Sequence, residues 1–100
     1  IAVIGMAGKF SGSDNVNEFW ENISSQKDLF SKVPSDRFDY AQWASENYDL
    51  ADKIYCDRGS FISDVDKFDA SFFNIPPKEA AILDPQLRLL LQVIYESIED

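Results

Sequence analysis

Histidine is absent from this chain, and cysteine occurs once, as Cys56. Without histidine there is no Ser-His-Asp or Cys-His pair, and the commonest zinc ligand is missing too. A lone cysteine forms no internal disulfide, which is compatible with a reducing cytosol. Basic residues are scarce, 9 against 18 acidic, for a net charge of −9. That sign argues against nucleic acid and against anionic membrane surfaces as partners, since both are bound through Lys and Arg. No apolar run approaches the length that spans a bilayer, and no signal-peptide pattern stands in the sequence. What is present is a hydrophobic share of 45%, ordinary for one small globular domain and too high for intrinsic disorder.

The most informative stretch runs from Asn74 to Asp100. Asp84 suits a helix N-cap, because its carboxylate can accept from the free N–H groups of the first turn. Pro85 follows at the first helical position, where a missing N–H costs nothing and φ is already helical. Leu87, Leu90, Leu91, Ile94 and Ile98 then fall on one stripe, while Leu89 and Val93 lie off it. Such a helix is apolar on well over half its circumference and needs cover on two sides. One hundred residues offer little to cover it with. The ends agree with that reading. The chain opens on Ile1-Ala2-Val3-Ile4, a run that reads as a buried strand, with no initiator Met. It stops in or just after a helix, with no Gly or Pro to finish it. The expectation is a segment cut at both ends.

Between these ends, Gly5 to Gly12 reads as a glycine-containing loop. Asn15 and Glu18 approximate a capping box, and Val16, Phe19, Trp20 and Ile23 give the amphipathic spacing of a helix ending near Ser24 to Gln26. Residues 28–58 lack periodicity yet carry Phe30, Phe38, Tyr40, Trp43, Tyr48 and Tyr55. This reads as an ordered excursion packed by its aromatics, with a short helix around Tyr40 to Glu46. Gly59 to Ile62 reads as a second strand, and Val65, Phe68, Phe72 and Phe73 as core material. Pro76-Pro77 opens a short helix through Leu83. The class is α/β, with too few strands for a complete sheet.

Three local patterns invite functional readings and fail on spacing. Gly5, Gly8 and Gly12 give G-x-x-G-x-x-x-G, not the dinucleotide fingerprint, and Gly8-Lys9 is followed by Phe10 where a phosphate loop needs Ser or Thr. The run Asp64-Val65-Asp66-Lys67-Phe68-Asp69 begins like a calcium loop, but it has no glycine at position six and Ile75 at position twelve. It reads as a solvated acidic edge between the anchors Val65 and Phe68. Cys56 has Asp57 and Arg58 as opposing neighbours and no histidine, so it reads as a half-buried structural cysteine.

Several blocks, in order, resemble the N-terminal part of a β-ketoacyl synthase domain of the modular polyketide synthase type. They are IAVIGMAGKFSG at Ile1 to Gly12, NVNEFWENI at Asn15 to Ile23, VPSDRFD at Val33 to Asp39, and Asp52 to Asp100 almost without a gap. The departures are Ser11 in place of proline, Ser60 in place of glycine, Pro76 in place of a capping serine, and Leu87 in place of glutamine. The resemblance implies a thiolase-like layered α/β fold, of which residues 1–100 are the N-terminal segment of a ketosynthase domain, normally a cytoplasmic homodimer. It implies condensation of a cysteine-bound acyl group with a malonyl thioester, both delivered on the phosphopantetheine of an acyl carrier protein. No cofactor is bound directly. Neighbouring synthase modules and the remainder of the domain are the other implied partners. The family's nucleophile lies in a Thr-Ala-Cys-Ser type motif, with two histidines downstream, and none of these occurs here. Cys56 does not match that context. The resemblance therefore assigns no catalytic, cofactor-binding or metal-binding residue to this segment. Asp84 and Pro85 are expected to set the start of a core helix, and Arg88 to pair with a backbone or carboxylate partner. A non-condensing relative, or an interaction module of the same ancestry, would read alike over these residues.

Overall fold

A computed structural model describes residues 1–45 and 51–100. In chain order it contains α1 (Val16–Ser24), β1 (Ser31–Lys32), α2 (Tyr40–Trp43), β2 (Arg58–Gly59), α3 (Pro77–Ile82) and α4 (Pro85–Glu99). These elements fall into two compact units, one formed by residues 1–27 and 62–100, the other by residues 28–61.

In the first unit α1 and α4 start where side chains cap them. Asn15 Oδ1 accepts from the Glu18 N–H at 2.9 Å, and Glu18 Oε2 reaches back to the Asp14 N–H at 2.8 Å. The capping box is thus closed one residue further back than its usual form. The far end of α1 is closed by the backbone. Lys27 N–H bonds the Asn22 carbonyl and Gln26 N–H the Ile23 carbonyl, both at 3.0 Å, with Gln26 at a φ of 54°. That is the Schellman pairing, with glutamine where glycine is usual. At α4, Asp84 Oδ1 accepts from the Gln86 N–H at 2.8 Å, and Pro85 occupies the first turn. α3 begins at Pro77 after Pro76 with no side-chain cap, as the loss of a serine there predicts.

Ile1 to Ile4, expected to form a strand, do not form one. A strand is defined by the neighbour that takes its N–H and C=O groups, and among the described residues nothing pairs with Ile1 to Ile4. Their side chains are exposed. The first pairing comes at Phe10 and Ser13, which exchange backbone bonds across Ser11-Gly12, with Gly12 at a φ of 62°. A positive φ at the third position of this turn is the reason for a glycine there. Phe10 stacks on Phe19 of α1, ring centroids 3.9 Å apart. Phe68, Phe72, Phe73 and Tyr95 form a second aromatic group, in which Phe72 meets both Phe73 and Tyr95 edge-on at 5.0 and 4.8 Å.

The second unit rests on a two-residue antiparallel ladder, with Ser31 opposite Gly59 and Lys32 opposite Arg58. The expected strand Gly59 to Ile62 is therefore shifted toward the N-terminus. Its pairing extends instead to Val33, whose N–H bonds the Asp57 carbonyl at 2.8 Å. α2 starts at Tyr40 as expected, with Asp39 as its cap, and ends at Trp43. Glu46, the expected end of that helix, and Tyr48 of the aromatic series lie outside the described residues. Tyr40 Oη donates to the Ile54 carbonyl at 3.4 Å. Burial, then Asp57 and Cys56, raise the Tyr40 pKa above its ordinary value.

Among the described residues no hydrophobic side chain is fully buried, and the one buried polar residue is Ser13, at 3% exposure. On α4 four residues of the stripe, Leu87, Leu90, Ile94 and Ile98, are exposed, Leu90 at 52% and Ile98 at 77%, while its fifth, Leu91, is partly covered. Leu89 and Val93, off that stripe, are partly covered. The helix therefore spends one apolar face within the segment and presents the other outward. Val65, Phe68 and Phe73 are half-buried as expected of core material, whereas Phe72 is exposed.

Candidate functional site

Acyl transfer needs a nucleophile with a base or a positive dipole beside it. The single thiol has neither. Cys56 Sγ donates to the Arg58 carbonyl at 3.2 Å, so Arg58 presents its backbone, not its guanidinium, to the sulfur. The guanidinium turns away, and Nη2 donates to the Phe30 carbonyl at 2.9 Å. Cys56 is also exposed, which corrects the expectation of a half-buried structural cysteine. It precedes a ladder only two residues long, and such a ladder has no second layer to cover it.

In the first unit an open recess of about 690 Å³ lies between residues 6–9, the start of α1 and the end of α4. Asp14, Asp64, Glu96, Glu99 and Asp100 line it against a single cation, Lys9. One carboxylate is already engaged, since Asp100 Oδ2 accepts from the Met6 N–H at 3.1 Å. The neighbouring Glu99 accepts from Tyr95 Oη at 2.5 Å, and this bond, with burial adding to it, raises the tyrosine pKa. No cysteine lines the recess, and Ser63, which does, has no histidine in the chain to serve as its base. Among the described residues no three His, Cys, Asp or Glu side chains are placed to hold a metal ion. The acidic run Asp64 to Asp69 is an exposed edge around half-buried Val65 and Phe68, with Asp64 at a φ of 51° closing a turn to the Lys67 N–H.

The residues singled out at the start of α4 position the chain. Asp84 and Pro85 fix where the helix begins. Arg88, one turn on, donates from Nη1 to the Asp66 carbonyl at 3.5 Å, tying the acidic loop to the helix through a backbone partner. Its Nε is covered and has no hydrogen-bond partner among the described residues.

Two positioning features escaped the sequence. Asn22 Nδ2 donates both to the Gly12 carbonyl at 2.9 Å and to Ser13 Oγ at 2.8 Å, locking the glycine loop to α1. An asparagine on the polar side of a helix carries no signal of that. Gly5 is the second: a Cβ there would lie 2.1 Å from the Ser97 carbonyl oxygen, so the first residues run directly along the last turn of α4.

Residues 1–100 match the family described as beta-ketoacyl synthase, N-terminal domain, and the chain belongs to that family. Within it, the chain is similar to polyketide synthases. It is 44% identical over 100 residues to the polyketide synthase PksL of Bacillus subtilis (strain 168) and 41% identical to the polyketide synthase ThaG of Burkholderia thailandensis. All of the chain is covered in both, but only 2% of either relative. Among solved structures it is similar to the oxazolomycin ketosynthase domain OzmH KS7 of Streptomyces albus JA3453, with a TM-score of 0.93 at 34% identity. A ketosynthase from module 6 of the bacillaene synthase of Bacillus subtilis 168 gives 0.88 at 36%. Each superposition covers 98% of this chain and 17% or 16% of the ketosynthase.

Proposed function

We propose that residues 1–100 are the N-terminal scaffold segment of a ketosynthase domain with a thiolase-like layered fold, in an enzyme that joins an acyl group to a malonyl unit. The observation that carries this reading is the match to OzmH KS7, close in backbone at a level of identity that reaches beyond fold alone. The exposed stripe of α4 and the unpaired run Ile1 to Ile4 are the surfaces against which the remainder of the domain packs.

In the whole enzyme a cysteine beyond Asp100 attacks an acyl thioester and releases the carrier thiol. The malonyl thioester then loses carbon dioxide, and the resulting enolate attacks the acyl-enzyme carbonyl, expelling the cysteine thiolate. Dividing the transfer into two steps is covalent catalysis. Within this scheme Asp84, Pro85 and Arg88 hold scaffold geometry and take no part in the chemistry. Substrates arrive on the phosphopantetheine of an acyl carrier protein, and the enzyme works as a cytoplasmic homodimer among neighbouring modules.

The test is to incubate the full-length protein and residues 1–100 separately with an acyl thioester and measure intact mass. The full-length protein is expected to gain one acyl group and, on adding malonyl carrier protein, to yield a ketoacyl product. The segment is expected to do neither. An adduct that never condenses would favour a non-condensing relative. No adduct on a well-folded dimer would overturn the enzymatic reading.

A further inference from the structure

We draw no further inference here: the strongest candidate, the open recess between residues 6–9, the start of α1 and the end of α4, is a cluster of carboxylates with no bound ion and no deeply buried unpartnered side chain to show what it holds.

Discussion

Residues 28–61 and the rest of the chain are held together in different ways. Much of the larger unit's order comes from local bonds, the caps at Asn15 and Asp84, the Schellman turn at Gln26 and helices whose partners lie four residues apart, alongside a few long ties such as Met6 to Asp100 and Arg88 to the Asp66 carbonyl. The smaller unit depends on bonds across sequence, such as Arg58 to the Phe30 carbonyl 28 residues away and the ladder of Ser31–Lys32 with Arg58–Gly59. Local bonds form at little entropic cost, whereas long loops must be closed before their contacts give anything back. Yet the two units share one deficit. Neither contains a fully buried apolar side chain among its described residues. Local order and a stable core are separate achievements, and this segment has the first without the second.

The largest expected effect follows from that deficit. Residues 1–100 produced alone are expected to associate, or to unfold without a sharp transition. With no fully buried apolar side chain among the described residues to offset the entropy of ordering the backbone, little net stability is available. Circular dichroism melting combined with sedimentation checks this. A sharp, cooperative transition in a monomer would contradict it.

The next effect tests the larger unit. Gly5→Ala would place a methyl 2.1 Å from the Ser97 carbonyl oxygen, a backbone atom that cannot swing aside. In the complete ketosynthase domain the substitution is expected to cost about 3 kcal/mol, at the upper end of ordinary overpacking. Denaturant titration of the two proteins measures it. A loss below about 1 kcal/mol would mean that the first residues do not run along α4 as described.

Both results bear on what was legible in advance. Capping is short-range chemistry, so Asn15, Asp84 and Pro85 could be read from their own neighbours, and the helices they start lie where those residues put them. The two-sided character of α4 was equally legible, because Leu89 and Val93 fall off the main apolar stripe. Which face is covered within the segment was not, since periodicity shows that faces exist and not what meets them. Ile1 to Ile4 failed as a strand for a related reason. Composition gives a residue's aptitude for pairing, but pairing needs a second chain segment, and none is at hand among the described residues. Membership of the β-ketoacyl synthase family is legible in the order of several blocks along the chain. The Asn22 lock on Ser13 and the contact of Gly5 with Ser97 join distant residues, and nothing local announces either.

A smaller effect, of opposite sign, concerns the end of α1. Gln26 holds a φ of 54°, where a side chain costs energy and glycine does not. Gln26→Gly should keep the Lys27-to-Asn22 and Gln26-to-Ile23 bonds and relieve that cost, though glycine also gains freedom in the unfolded chain. The net expectation is a stabilisation of about 0.5 kcal/mol in the complete domain, read as a higher denaturation midpoint. A lower midpoint would show that the glutamine side chain itself makes a contact worth more than the strain.

The smallest expected effect lies in the residue 28–61 unit and is close to zero. Cys56 is exposed, and its sulfur bonds only a carbonyl two residues on, a weak donor interaction in contact with water. Cys56→Ala therefore removes little from the fold, and the ladder beside it is made by backbone atoms that the substitution leaves in place. Arg58 sends its guanidinium to the Phe30 carbonyl, and the chain has no histidine to act as a base for the thiol. The full-length variant is expected to take up acyl groups at the parent rate and to melt within about 0.5 kcal/mol of it. Loss of acyl uptake with the melting transition preserved would make Cys56 the acceptor and place the chemistry in the smaller unit. Loss of both would show only that the ladder tolerates less than its exposure suggests, and Cys56→Ser would then separate the roles of volume and thiol.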